Sequence, residues 1–125
     1  MAGYAVNLRN AQLDAITTFA GNACLLRAYD GTQPATGGAA TNKLSEHTLG
    51  TPFAGASAAA LLSPALPADV NGLQSGQVTW FRIVQSDGAT FVMDIPASQV
   101  TLNTNQIVVG QPVKILGFSI TAGNA

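Results

Sequence analysis

The stretch Gln77-Val78-Thr79-Trp80-Phe81-Arg82-Ile83-Val84, then Gln85-Ser86-Asp87-Gly88, then Ala89-Thr90-Phe91-Val92-Met93-Asp94-Ile95 decides the class of fold. Both arms are β-branched and aromatic, the side chains that suit a pleated and packed surface. The four residues between them end on Gly88, which takes positive φ at no steric cost, so the whole reads as a β-hairpin. The first arm is apolar on both faces, as expected of a strand near the middle of a packed sheet.

C-terminal to the hairpin, residues 100–102, 106–109 and 113–121 read as short strands, with Gly110-Gln111-Pro112 as a turn. In the last of these, Leu116, Phe118 and Ile120 share a face opposite Val113, Ile115, Gly117 and Ser119. N-terminal to it, residues 8–20 have helical spacing: Leu8, Ala15, Ile16 and Phe19 on one side, Leu13 and Ala20 at its margin, Asp14 and Thr18 opposite. Asn7 is the expected cap and Gly21-Asn22 the expected stop. Residues 23–29 read as a strand ended by Asp30-Gly31, and 32–42, rich in Thr, Gly, Ala and Pro, as an exposed loop. Residues 43–49 form a further strand, in which Leu44 alternates with Lys43 and Ser45 while Leu49 falls out of phase. In 54–66 alanine favours helix and Gly and Pro oppose it, so extended structure is expected only around 59–62.

The expected fold is therefore mainly β: a β-sandwich of jelly-roll-like type with one N-terminal amphipathic helix. It occupies residues 1–125 as a single domain, helix about 8–20 and sandwich about 23–121. The expected core sets Trp80 or Phe81, Phe91, Phe118, Ile120 and Leu26 against Ile16 and Phe19.

Only 9% of the 125 residues are charged, against the usual ~25%, while 47% are apolar. The five basic residues, Arg9, Arg27, Lys43, Arg82 and Lys114, are scattered, so no nucleic-acid footprint is expected. A surface so weakly charged has little protection against association, which points to life in an assembly. Residues 1–10 lack the basic start and apolar run of a signal peptide, and no run approaches the ~20 apolar residues that span a bilayer; no membrane role is expected.

Catalytic chemistry finds little to use. His47, the one histidine, has Ser45 two positions away on the same strand face, which any chain of this length offers by chance. Asp14, Asp30, Glu46, Asp69, Asp87 and Asp94 have simpler uses: Asp30 and Asp87 precede turn glycines, and Glu46 and Asp94 can pair with Arg27 or Arg82. One His and one Cys cannot make a zinc site, and no cofactor is expected. Cys24, within Ala23-Cys24-Leu25-Leu26, reads as a small buried hydrophobe. The run from Gly31 to Gly38 lacks the Gly-Lys-Ser/Thr ending of a phosphate loop. Trp80 and Phe81 cannot form one stacking platform, because neighbouring strand residues point to opposite faces.

The run Leu25-Leu26-Arg27-Ala28-Tyr29-Asp30-Gly31-Thr32-Gln33-Pro34-Ala35-Thr36-Gly37-Gly38 resembles the opening of a family of small proteins encoded by tailed bacteriophages and prophages. Further blocks match in order: Thr79-Trp80-Phe81-Arg82-Ile83-Val84 with Ser86-Asp87-Gly88, then Leu102-Asn103-Thr104 with Ile107, Gly110 and Phe118-Ser119-Ile120-Thr121, and the helix with Leu13-Asp14-Ala15-Ile16. The chain departs from the family after Asp94, where Ile95-Pro96-Ala97-Ser98 stands in place of a Gly-rich link. The resemblance implies a β-rich, non-enzymatic virion structural protein. We expect a capsid decoration or cement protein on the capsid exterior, made in the bacterial host cytoplasm. It would bind the major capsid protein and neighbouring copies of itself, as a homo-oligomer within the assembly. The alternatives are a tail or fibre component that contacts the host, and, less favoured, a small soluble enzyme or host-factor inhibitor. The expected contact surface is the loop, through Gln33, Pro34, Thr36, Gly37, Gly38 and Thr41, together with the chain ends.

Overall fold

The computed structural model describes residues 5–50, 54, 57, 61–62, 67 and 69–121. The chain is mainly β with one N-terminal helix, as expected. Helix α1 (Val6–Ala20) leads into β1 (Leu25–Tyr29), β2 (Lys43–Thr48), β3 (Leu61–Leu62), β4 (Val70–Asn71), β5 (Gly76–Gln77) and β6 (Trp80–Val84). Then come β7 (Phe91–Pro96), a 3-10 turn (Ala97–Gln99), β8 (Val100–Leu102), β9 (Gln106–Ile107), β10 (Pro112–Val113), β11 (Ile115–Phe118) and β12 (Ile120–Thr121).

The hairpin that decided the fold is β6–β7. It joins β1 and β2 in a four-stranded sheet of order β2-β1-β6-β7, every pair antiparallel. Strand β6 lies inside this sheet, and Trp80, Phe81, Ile83 and Val84 on its two faces are all buried, as the doubly apolar pattern requires. Leu26, Ala28, Phe81, Ile83 and Ile95 line the inner face. They share one core cluster with Leu13 and Ala20 of the helix and with Leu62, Val100, Ile107, Val113, Ile115, Phe118 and Ile120. Among the described residues the layer over the inner face does not form a second continuous sheet. Among the described residues it consists of four two-stranded ladders, β10-β4, β11-β8, β12-β3 and β5-β9, and a jelly-roll order does not emerge from their pairing.

Four expectations about packing need correction. Phe91, expected in the core, lies outside the core cluster, half-buried beside Arg82 and Gly37. The helix is rotated from its expected setting: Leu13 and Ala20 are buried, Ile16 packs against the core, and Leu8 and Phe19 stand 48% and 54% exposed. Polar anchors fix that rotation, with the Ser57 N–H donating to Asp14 Oδ1 (2.8 Å) and Ser57 Oγ donating to the Asn10 carbonyl (2.9 Å). The cap position is Ala5, not Asn7, while Gly21 ends the helix as expected, its N–H donating to the Thr17 carbonyl. In the last strands Leu116 is 47% exposed while Ile115 and Phe118 are both buried, because the β11–β8 register shifts between Ile115 and Gly117 and the alternation changes phase there. A similar irregularity opposite Ala28 and Tyr29 buries Leu44 and Ser45 in succession. Of the extended segment expected around 59–62, β3 supplies 61–62; residues 59–60 and the chain ends lie outside the described residues.

Candidate functional site

The outer face of the four-stranded sheet carries the molecule's polar chemistry. Alternation along the strands sends Tyr29, Trp80, Arg27, Arg82, Glu46 and Asp94 to this side, and register sets Asp94, Arg82, Arg27 and Glu46 in one row across all four strands. The two arginines lie directly opposite each other, and each leans to a carboxylate on its other side. Arg82 grips Asp94 in a bidentate pair, Nε to Oδ1 at 2.7 Å and Nη2 to Oδ2 at 3.2 Å. Arg27 Nε donates to Glu46 Oε2 at 2.6 Å, and Lys43 Nζ adds a second bond to the same oxygen at 3.2 Å. Burial opposes the charge on Glu46, but the hydrogen bonds from Arg27 and Lys43 outweigh it and hold the carboxyl below its ordinary range.

Above this row lies the loop 32–42, folded back as a strap. Ala35-Thr36-Gly37-Gly38 closes a turn, with the Gly38 N–H donating to the Ala35 carbonyl at 2.7 Å. Gly37 sits at φ +75°, the conformation such a turn demands at its third position, and a Cβ on Gly38 would stand 2.9 Å from the Ala35 carbonyl oxygen. The Gly37 N–H donates to Asp94 Oδ2 (3.1 Å) and Arg82 Nη2 donates to the Gly38 carbonyl (2.7 Å). At the base of the strap, Trp80 Nε1 donates to the Asp30 carbonyl (3.1 Å) and to Thr41 Oγ1 (3.0 Å), and the Thr41 hydroxyl donates to the Asp30 carbonyl. Trp80 stacks on Tyr29 with centroids 4.5 Å apart, and the Arg82 guanidinium lies 5.1 Å from the Trp80 ring and 5.2 Å from that of Phe91.

The six residues expected to form a contact surface thus belong to one strap, but they divide by role. Gln33 and Thr36 are exposed; Pro34 is half-buried. The Gly37 N–H, the Gly38 carbonyl and the Thr41 hydroxyl are bonded inside the molecule, to Asp94, Arg82 and the Asp30 carbonyl. The outward surface is instead Thr32, Gln33, Ala35, Thr36, Ala39 and Ala40, small and uncharged throughout. Of the two partners expected for Asp94 the structure selects Arg82, and what sequence reasoning missed is that this pair holds the strap. The pair's only signal was opposite charge on paired strands.

The remaining candidates are interior. Ser45 Oγ and His47 Nε2 lie 3.1 Å apart with both residues fully buried, so this contact belongs to the interior of the fold. Cys24 is fully buried, and desolvation pushes its thiol up to about 11. Among the described residues no group of three or more His, Cys, Asp or Glu side chains converges as metal ligands, and no helix is long and apolar enough to cross a membrane. No family model matches the chain, and neither the curated proteins nor the solved structures contain a match to it.

Proposed function

We propose that the chain is a non-enzymatic structural protein of a tailed-phage or prophage particle, a capsid decoration protein that binds the major capsid protein and neighbouring copies of itself. The observation that carries this reading is the strap: a run of small, uncharged, exposed residues held in one shape on the outer face of a sheet. A preformed surface binds without the cost of ordering itself, which suits a module repeated over a lattice. The two blocks of the phage resemblance furthest apart in sequence that bear on the strap, 25–38 and 79–84, are also one physical unit: β1 pairs with β6, and Arg82 of the second block holds Gly38 of the first. A separate, apolar surface is available for neighbouring copies. Leu73, Val108 and Val109 stand about half exposed (52%, 49% and 56%), and the bonds between Gly72 and Gly110 and between Gly72 and Gln111 draw their segments together.

Copy number tests the reading. In particles purified from the producing bacterium, quantitative mass spectrometry should find this chain in hundreds of copies; a handful would move it to the tail, and absence would end both virion readings. Deleting residues 33–38 should abolish incorporation. Because the strap's outward surface carries no charge, washing in about 1 M sodium chloride should leave the protein attached, whereas an interface of exposed ion pairs would be screened and release it.

A further inference from the structure

The outer face of a sheet in this position would ordinarily be wet, yet Trp80 on that face has no exposed surface. It is not part of the core cluster on the other side of the sheet. It is closed over by Tyr29, Arg82 and the base of the strap. The middle of the strap is tied down by two bonds, Gly37 N–H to Asp94 and Arg82 to the Gly38 carbonyl, and both end on members of the same ion pair.

We propose that the Arg82–Asp94 pair is a latch, and that the strap 31–42 opens and closes on it as a unit while the four-stranded sheet stays folded. The sheet keeps its own ladders when the strap lifts, and no strap residue belongs to the core cluster, so opening uncovers no core. The strap's turn is closed by its own bond between Gly38 and Ala35, which lets it move without unravelling. With its side chains only 12% and 2% exposed, the pair is poorly screened by salt, so the latch stays shut where surface ion pairs fail. The use of the latch, fixing the shape of the contact surface, rests on the strap-contact reading; its existence does not.

The test uses the isolated protein and the chain's single tryptophan, Trp80. The double variant Arg82→Met/Asp94→Leu removes both charges together and leaves neither buried alone, which spares the fold. Amide exchange at Gly37, whose N–H is bonded to Asp94, and acrylamide quenching of Trp80 should both rise, by about tenfold or more, since each lost bond involves a charged group. Amides of Phe81 and Ile83 should keep their protection. Unchanged quenching of Trp80 would overturn the latch, and so would loss of protection at Phe81 and Ile83 in step with the strap. The wild-type protein gives the same answer without substitution. Gly37 should exchange through an opening with little urea dependence, well below the opening that releases Phe81; exchange of Gly37 only by global unfolding overturns the proposal. A double variant that opens its strap yet joins particles at wild-type copy number would end the contact reading and leave the latch standing.

Discussion

The two faces of the four-stranded sheet are made by alternate residues of the same strands and are held by different physics. On the inner face Leu26, Phe81, Ile83 and Ile95 are buried to 2% exposure or less and pack into the one core cluster. Their stabilisation is area removed from water, roughly 25 cal/mol per Å². On the outer face the same strands present Arg27, Arg82, Glu46 and Asp94, and burial there depends on ion pairing and on a strap from elsewhere in the chain. The inner face tolerates change of shape poorly but asks for no partner of defined chemistry. The outer face asks for specific partners, and each becomes a liability when its partner is removed.

The largest effect should therefore come from the inner face. Phe81→Ala is expected to cost ~3–5 kcal/mol in chemical denaturation, a large share of a small domain's total. Conversion of Trp80 to Phe keeps most of the apolar body and removes the bonds from Nε1 to Asp30 and Thr41, so it should cost only about 1–2 kcal/mol. Equal losses at the two positions would mean that the faces are not distinct in the way described.

Within the outer face the two ion pairs should separate by burial. Asp94→Ala leaves the Arg82 guanidinium uncompensated in a site where its side chain is 12% exposed, and is expected to cost about 2–3 kcal/mol, less than Phe81→Ala because the strap can lift and let water reach the charge. Glu46→Ala breaks a pair whose acid is 31% exposed, where solvent screens the charge, and should cost no more than about 1 kcal/mol. Urea midpoints for the two variants decide the matter, and a reversed order would show that the strap does not bury the Arg82 pair.

What could be read from the sequence follows the range of the interactions. The hairpin was legible because β-branched and aromatic composition and the Asp87-Gly88 turn are local, and the loop was legible from its Gly, Pro and Thr content. That the loop folds back on Arg82 and Asp94 was not, since those bonds join residues 44 and 57 positions apart. The phase change at Ile115 to Phe118 was hidden because a bulge leaves no mark in residue type. The helix face was ambiguous for a different reason: Leu8, Ala15 and Phe19 make one apolar stripe and Leu13, Ile16 and Ala20 another, and anchors at Asn10 and Asp14 choose between them. A contrast between the stripes checks that choice. Leu13→Ala should cost about 2–4 kcal/mol, while Phe19→Ser should change stability by no more than about 0.5 kcal/mol.

The smallest effect expected is at the hairpin turn joining the two strands whose faces differ most. Asp87 is exposed, yet its carboxylate accepts three bonds: from the Thr90 hydroxyl (2.6 Å), the Thr90 N–H (2.9 Å) and the Ala89 N–H (2.9 Å). The Thr90 hydroxyl does most, and together these bonds lower the carboxyl from an ordinary 3.8 to about 2. The charged form is therefore favoured in the folded turn. Its contribution to stability is complete above pH 3.8 and is lost as pH falls toward 2, because protonation then removes an acceptor that the unfolded chain never used. An NMR titration of the Asp87 carboxyl should give a midpoint near 2, moving upward in Thr90→Val while the strap and the Arg82 pair are unchanged. A wild-type midpoint close to 3.8 would show that the turn is not closed by Asp87, and would leave Gly88, at φ +76°, as the feature that reverses the chain there.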